Sequence, residues 1–169
     1  QRTISSRTDS RGYSGLVRSI TVNTCAGLYP KLREESTTGK LYRNKSNLEA
    51  GLDITVNYVD TSLDPTNTKN FDKVILAIPG SAGNYTHFEQ LINHFRSSSV
   101  RLIALNMPDF SHTRSTGLFW HSTLERVTFV KDTLKQLEIN QIDCLVGHSY
   151  GLHTMLGLFD EVSFRNGKS

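Results

Sequence analysis

Hydrophobic and polar positions alternate along Asp53-Ile54-Thr55-Val56-Asn57-Tyr58-Val59. This β-branched run predicts a strand that is exposed on one face. A polar turn region follows from Leu63 to Asn70, and Lys73 to Ile78 then forms a continuous apolar strand closed by Pro79-Gly80. Tyr85, Phe88, Leu91, Ile92 and Phe95 mark one face of a helix that ends near Arg96. Val100 to Leu105 is the next apolar strand, ending at Asn106-Met107-Pro108, and residues 109–119 read as a loop. Trp120, Leu124, Val127, Val130, Leu134 and Leu137 define a longer amphipathic helix. Ile142-Asp143-Cys144-Leu145-Val146 suits a short buried parallel strand, after which Leu152, Met155, Leu156 and Phe159 recur at helical spacing. Lys40 to Lys45 is expected to add a first, irregular strand. Strands alternating with helices across short links imply right-handed crossovers. The expected fold class is therefore α/β: a three-layer, doubly wound, mostly parallel sheet with helices on both faces.

A chain of 169 residues is one domain's worth. No apolar run approaches the ~20 residues of a membrane helix, so no transmembrane segment is expected. The net charge of +3 is unevenly placed. Arg2, Arg7, Arg11, Arg18, Lys31 and Arg33 face Asp9 alone in residues 1–33, and the remainder is slightly acidic. A nearly neutral folded part argues against a nucleic-acid partner. The basic segment also carries Thr3, Ser5, Ser6, Thr8, Ser10, Ser14 and Ser19. Residues 1–39 are thus expected to be a tail, either disordered or targeting, ahead of a domain spanning 40–169. The chain opens on Gln1 rather than Met, which fits a start that is missing or processed. With two cysteines and no apolar secretory stretch the expected compartment is the cytoplasm, and the basic Ser- and Arg-rich segment leaves the mitochondrion as the alternative. Cys144 falls in the strand expected to be buried and Cys25 in the tail, so no disulfide between them is expected. Asn84-Tyr85-Thr86 is a glycosylation sequon in the loop after the Lys73–Ile78 strand, which weighs against a secreted enzyme with its site there.

Gly147-His148-Ser149-Tyr150-Gly151 is a G-x-S-x-G pentapeptide between a predicted strand and a predicted helix, where a nucleophile elbow belongs. An elbow serine sits in a strained backbone conformation, and the residues two before and two after it must be small to avoid colliding across the turn. The plainer alternative is a helix N-terminus with Ser149 as its cap. The loop Pro79-Gly80-Ser81-Ala82-Gly83-Asn84 has its own plain alternative, a capping turn with Asn84 as the cap.

Residues 40–160 resemble the first half of an α/β-hydrolase. The likeness rests on four marks in order: the strand ending in Pro79 to Asn84, the strand ending in Asn106-Met107-Pro108-Asp109, an amphipathic helix, and the elbow at Gly147 to Gly151. Relatives usually carry His-Gly where this chain has Pro79-Gly80, and often Asp-x-Pro-Gly where it has Asn106 to Asp109. The resemblance implies Ser149 as nucleophile, with an oxyanion hole made from the backbone N–H groups of Tyr150 and Ser81. It implies a small-molecule acyl substrate (an ester, thioester or amide) and no cofactor or metal. Oligomeric state is left open.

A serine hydroxyl needs a base. His87 and His112 are placed near the active edge, His94 and His121 on helices, His148 in the elbow and His153 on the helix leading away; none is well placed as a base. In this fold the acid and then the histidine follow the serine in chain order. Asp160 and Glu161 follow Ser149, and no histidine follows them. The chain is expected to be a fragment without its acid and base, and nearly inert alone. The alternative is a non-catalytic module of the same fold that binds a ligand or a protein.

Overall fold

The computed structural model describes residues 12–34, 48–81, 83–108 and 119–166. Its strands are β1 (Val17–Thr24), β2 (Leu52–Asp60), β3 (Lys73–Ile78), β4 (Val100–Leu105) and β5 (Cys144–Gly147). Its α-helices are α1 (Leu28–Glu34), α2 (Glu89–Phe95), α3 (Thr123–Gln136) and α4 (Gly151–Asn166), and a 3-10 turn at Tyr85–Phe88 leads into α2. The strands form one sheet in the order β1-β2-β4-β3-β5. β2 is antiparallel to both its neighbours, while β3 runs parallel to β4 and to β5. Four of the five strands thus point the same way.

Strand alternation separates two cores. Leu76 and Ile78 of β3, with Ile103 and Leu105 of β4, face a cluster that includes Tyr29 of α1, Val127 and Phe129 of α3, and Leu158 of α4. Ala77, Leu102 and Ala104 face the opposite cluster, with Tyr85, Phe88 and Ile92. Helices therefore cover both faces, and the three-layer α/β expectation holds. β3, β4 and the Tyr85–Phe95 helical segment lie where the hydrophobic pattern puts them.

The tail expected over residues 1–39 is corrected from residue 12 onward. β1 pairs with β2 along its whole length, from Val17 opposite Val59 to Thr24 opposite Leu52. The Tyr29 hydroxyl donates to Glu125 Oε1 at 3.0 Å and the Thr24 hydroxyl to Asp132 Oδ2 at 2.7 Å, which ties this segment to α3. The physical reason is that β1 is an edge strand, so most of its side chains are outside the core, and Arg18, Ser19, Thr21 and Asn23 give it the composition of a tail. Residues 1–11 and the strand expected at Lys40 to Lys45 lie outside the described residues.

Three smaller expectations also change. Cys25 is buried and Cys144 exposed, the reverse of the sequence reading, because Cys25 closes β1 over the core and β5 lies at the end of the sheet. His121 precedes the α3 cap Ser122, with a positive φ of 59°, rather than lying on a helix. The expected apolar stripe holds on α3 at Val127 and Val130, which are buried, and at Leu134 and Leu137, which pack against the core, while the stripe on α4 is displaced. Trp120, Leu124, Leu152, Leu156 and Phe159 are exposed, while Arg126, Thr133 and Thr154 are buried. Close approach of α4 to α3 selects small residues at the contact: a methyl group on Gly157 would lie 2.7 Å from Val127 Cγ2.

Candidate functional site

From β3 the chain crosses to β4 on one side and later returns to β5 on the other, so β3 is where the strand order reverses. Ligands in open α/β sheets bind outside the carboxyl ends of the strands at such a point. The loops that leave β3 and β5 meet there. The first carries Pro79, Gly80 and Ser81, and the second carries His148, Ser149 and Tyr150.

Ser149 has φ 52°, in the left-handed region that residues other than glycine seldom occupy. A cap residue has extended backbone, so the plain capping alternative for Ser149 does not describe this turn. Both flanking glycines are closely approached, and Gly151 is required by contact. A methyl group on Gly147 would lie 3.1 Å from the Gly151 carbonyl carbon and from the Leu152 nitrogen, and one on Gly151 would strike the Ile78 carbonyl oxygen. The turn is closed by the Gly151 N–H donating to the His148 carbonyl at 2.9 Å. It is tied to β3 by the His148 N–H donating to the Ile78 carbonyl at 3.1 Å. Ser149 is exposed at the sheet edge.

Gly80 brings the other loop against the serine: a methyl group there would lie 2.8 Å from Ser149 Cβ and 3.3 Å from its Oγ. The same loop also caps the following turn, since Asn84 Oδ1 accepts from the Thr86 N–H at 2.7 Å. The plain reading of Asn84 as a cap therefore holds. Asn106, fully buried at the end of β4, accepts from the Tyr85 N–H at 2.9 Å and fixes the far end of that loop. Sequence reasoning gave Asn106 no role beyond marking a departure from the family pattern.

The histidines near the elbow contact rings. His87 and His148 meet edge to face with centroids 5.2 Å apart, and His153 lies tilted against Tyr150 at 5.1 Å. His94 is exposed on α2, and His112 lies outside the described residues. Among the described residues no group of three or more His, Cys, Asp or Glu is arranged to hold a metal.

Arg126 was missed altogether. It is fully buried behind the elbow, with its Cζ 4.5 Å from the centroid of the Tyr150 ring and its Nε donating to Thr154 Oγ1 at 2.9 Å. Burial pulls its guanidinium down to about 10, against an opposing effect of Tyr150. No sequence signal marks it, because a lone arginine on an amphipathic helix reads as solvent-facing.

Comparisons with known proteins agree with this architecture. The family described as "Alpha/beta hydrolase of unknown function (DUF1057)" matches residues 34–161. Uncharacterized protein F35H12.5 of Caenorhabditis elegans is 26% identical over 129 residues, covering 75% of this chain and 35% of that protein. Among solved structures, a probable hydrolytic enzyme from Pseudomonas aeruginosa is similar with TM-score 0.56 at 16% identity, over 86% of this chain and 37% of that one. An epoxide hydrolase from Vigna radiata gives 0.56 at 15% identity, over 88% and 35%. A thermophilic esterase from Thermogutta terrifontis gives 0.57 at 10% identity, over 86% and 41%. At these identities the structures speak to the fold. The chain spans 35% of the length of its curated relative. Among the described residues no helix is long and apolar enough to cross a membrane.

Proposed function

The chain belongs to the DUF1057 family of α/β hydrolases, and from that premise we propose that it carries the nucleophile half of a serine hydrolase acting on an ester, thioester or amide. The observation that carries this reading is the backbone of Ser149. Its φ of 52° is a strained conformation, held between two closely approached glycines of which Gly151 leaves no room for a side chain, and it leaves the serine exposed against the β3 loop.

In the proposed reaction Ser149 Oγ attacks the acyl carbonyl carbon while a base takes its proton. The oxygen of the tetrahedral intermediate gains negative charge and is held by the N–H groups of Tyr150 and Ser81. Collapse expels the alcohol, thiol or amine and leaves an acyl-enzyme, which water then hydrolyses. No step draws on a metal or cofactor. Acid and base would come from segments after α4, in the order serine, acid, histidine. A chain covering 35–41% of its structural relatives leaves room for them. A serine at 149 separates this chemistry from epoxide hydrolysis of the kind that uses a carboxylate nucleophile, even though epoxide hydrolases share the fold.

The experiment is hydrolysis of a panel of p-nitrophenyl esters and acyl thioesters by the protein in its natural full length. Turnover that falls at least ~10³-fold in Ser149→Ala is expected. A folded wild-type protein that cleaves no member of the panel contradicts the proposal and favours the non-catalytic binding module.

A further inference from the structure

Arg126 touches both halves of the oxyanion site without reaching its surface. Its ring contact is with Tyr150, and its Nη2 makes a long hydrogen bond, 3.5 Å, to the carbonyl of Pro79, two residues before Ser81. Its Nε holds Thr154, in the first turn of α4. Its Nη1 is buried with no hydrogen-bond partner among the described residues. Among the described residues no carboxylate pairs with this guanidinium. Burying an unpaired ion is costly, and replacing buried ions by apolar side chains of similar size is often neutral or stabilising. What a planar fork does supply is geometry, because several donors at fixed angles can hold separate elements at once.

We infer that Arg126 is a positioning residue that holds the Tyr150 elbow and the Pro79 loop in mutual register, so that the two oxyanion N–H groups converge on one point. This deepens the serine-hydrolase reading and rests on it for its catalytic consequence. Displacement of one donor by an ångström can cost about 10²-fold in rate, and Arg126 lies where it prevents that displacement.

Arg126→Met in the full-length protein is the test, read in two ways. Hydrogen exchange by mass spectrometry should show amides around Pro79 and around Tyr150 exchanging at least tenfold faster, with β1 and β2 unchanged and the melting temperature equal or higher. Labelling by a fluorophosphonate probe should slow by about 10²-fold. Arg126→Lys keeps the charge and the stem but not the fork, and should show the same local loosening; it serves if the methionine variant does not fold. Unchanged exchange in both segments overturns the inference, as does faster exchange spread evenly over the sheet, which is the mark of a merely structural role. A wild-type protein that takes no label instead sinks the nucleophile reading, and the exchange result then decides on Arg126 alone.

Discussion

Gly80 lies so close to Ser149 that a methyl group on it would stand 2.8 Å from Ser149 Cβ and 2.9 Å from the His148 carbonyl oxygen. The loop after β3 and the Ser149 turn therefore share one contact, and the missing side chain is what permits it.

Gly80→Ala should push the loop off the elbow by several tenths of an ångström. The expected result is a 10- to 10²-fold lower rate of fluorophosphonate labelling in a protein that still folds. Second-order labelling constants, with circular dichroism as the check on folding, decide it. An unchanged rate would show that the loop takes no part.

Gly151→Ala brings a methyl group onto the Ile78 carbonyl oxygen, so β3 and α4 must separate. Overpacking of this kind costs roughly 1–3 kcal/mol. For a domain of this size each kcal/mol lowers the melting temperature by about 2–4 °C. Gly27→Ala is the control, because nothing stands within 4 Å of a methyl group there. Thermal melts should separate the two variants clearly.

Asp64 governs part of the acid limit of stability. Hydrogen bonds from the Thr66 hydroxyl and N–H, followed by the Arg96 pair at 2.9 Å, hold its carboxyl below the ordinary range. The folded protein thus binds this proton less readily than the unfolded chain. The stabilisation is complete above an unfolded carboxylate pKa of about 3.9 and is lost as pH falls below it. Asp64→Ala should lower stability by about 2 kcal/mol at pH 7 and flatten its dependence on pH between 5 and 2. Urea midpoints across that range test it.

At the alkaline end the sign reverses. Burial pushes the Cys25 thiol from 9.0 up to about 12, so the unfolded chain releases this proton first. Its share of stability is intact below pH 9 and declines as pH rises toward 12, by at most ~1.4 kcal/mol per pH unit. Tyr29, also raised by burial, adds to the same decline. Cys25→Ala should make the fall in urea midpoint between pH 9 and 11 shallower. In the 169-residue chain, iodoacetamide should modify exposed Cys144 and spare Cys25 until denaturant is added.

The centre of the fold was legible because its signals are local. β3 and β4 are uninterrupted apolar runs, and the elbow carries its steric demand in Gly147 and Gly151 themselves. β1 was not legible, although Ile20 and Val22 alternate with Thr21 and Asn23. An edge strand needs few apolar residues, and a basic, Ser-rich composition masked that short alternation. The packing face of α3 was legible at Val127 and Val130, whereas that of α4 was not, for a related reason. On α4 the contact with Val127 and Arg126 of α3 is made by Gly157 and Thr154, which periodicity of large apolar residues ignores. Residues that act by closeness, such as Gly80 and Arg126, become visible only when the partner they approach is in place.

The central claim is that Ser149 is a nucleophile. The most direct measurement incubates the full-length protein with a fluorophosphonate probe and locates the adduct by peptide mass spectrometry. One phosphonyl group on Ser149, absent from Ser149→Ala, is the predicted result. A folded wild-type protein that takes no label, or a Ser149→Ala variant labelled as fast as wild type, would contradict it.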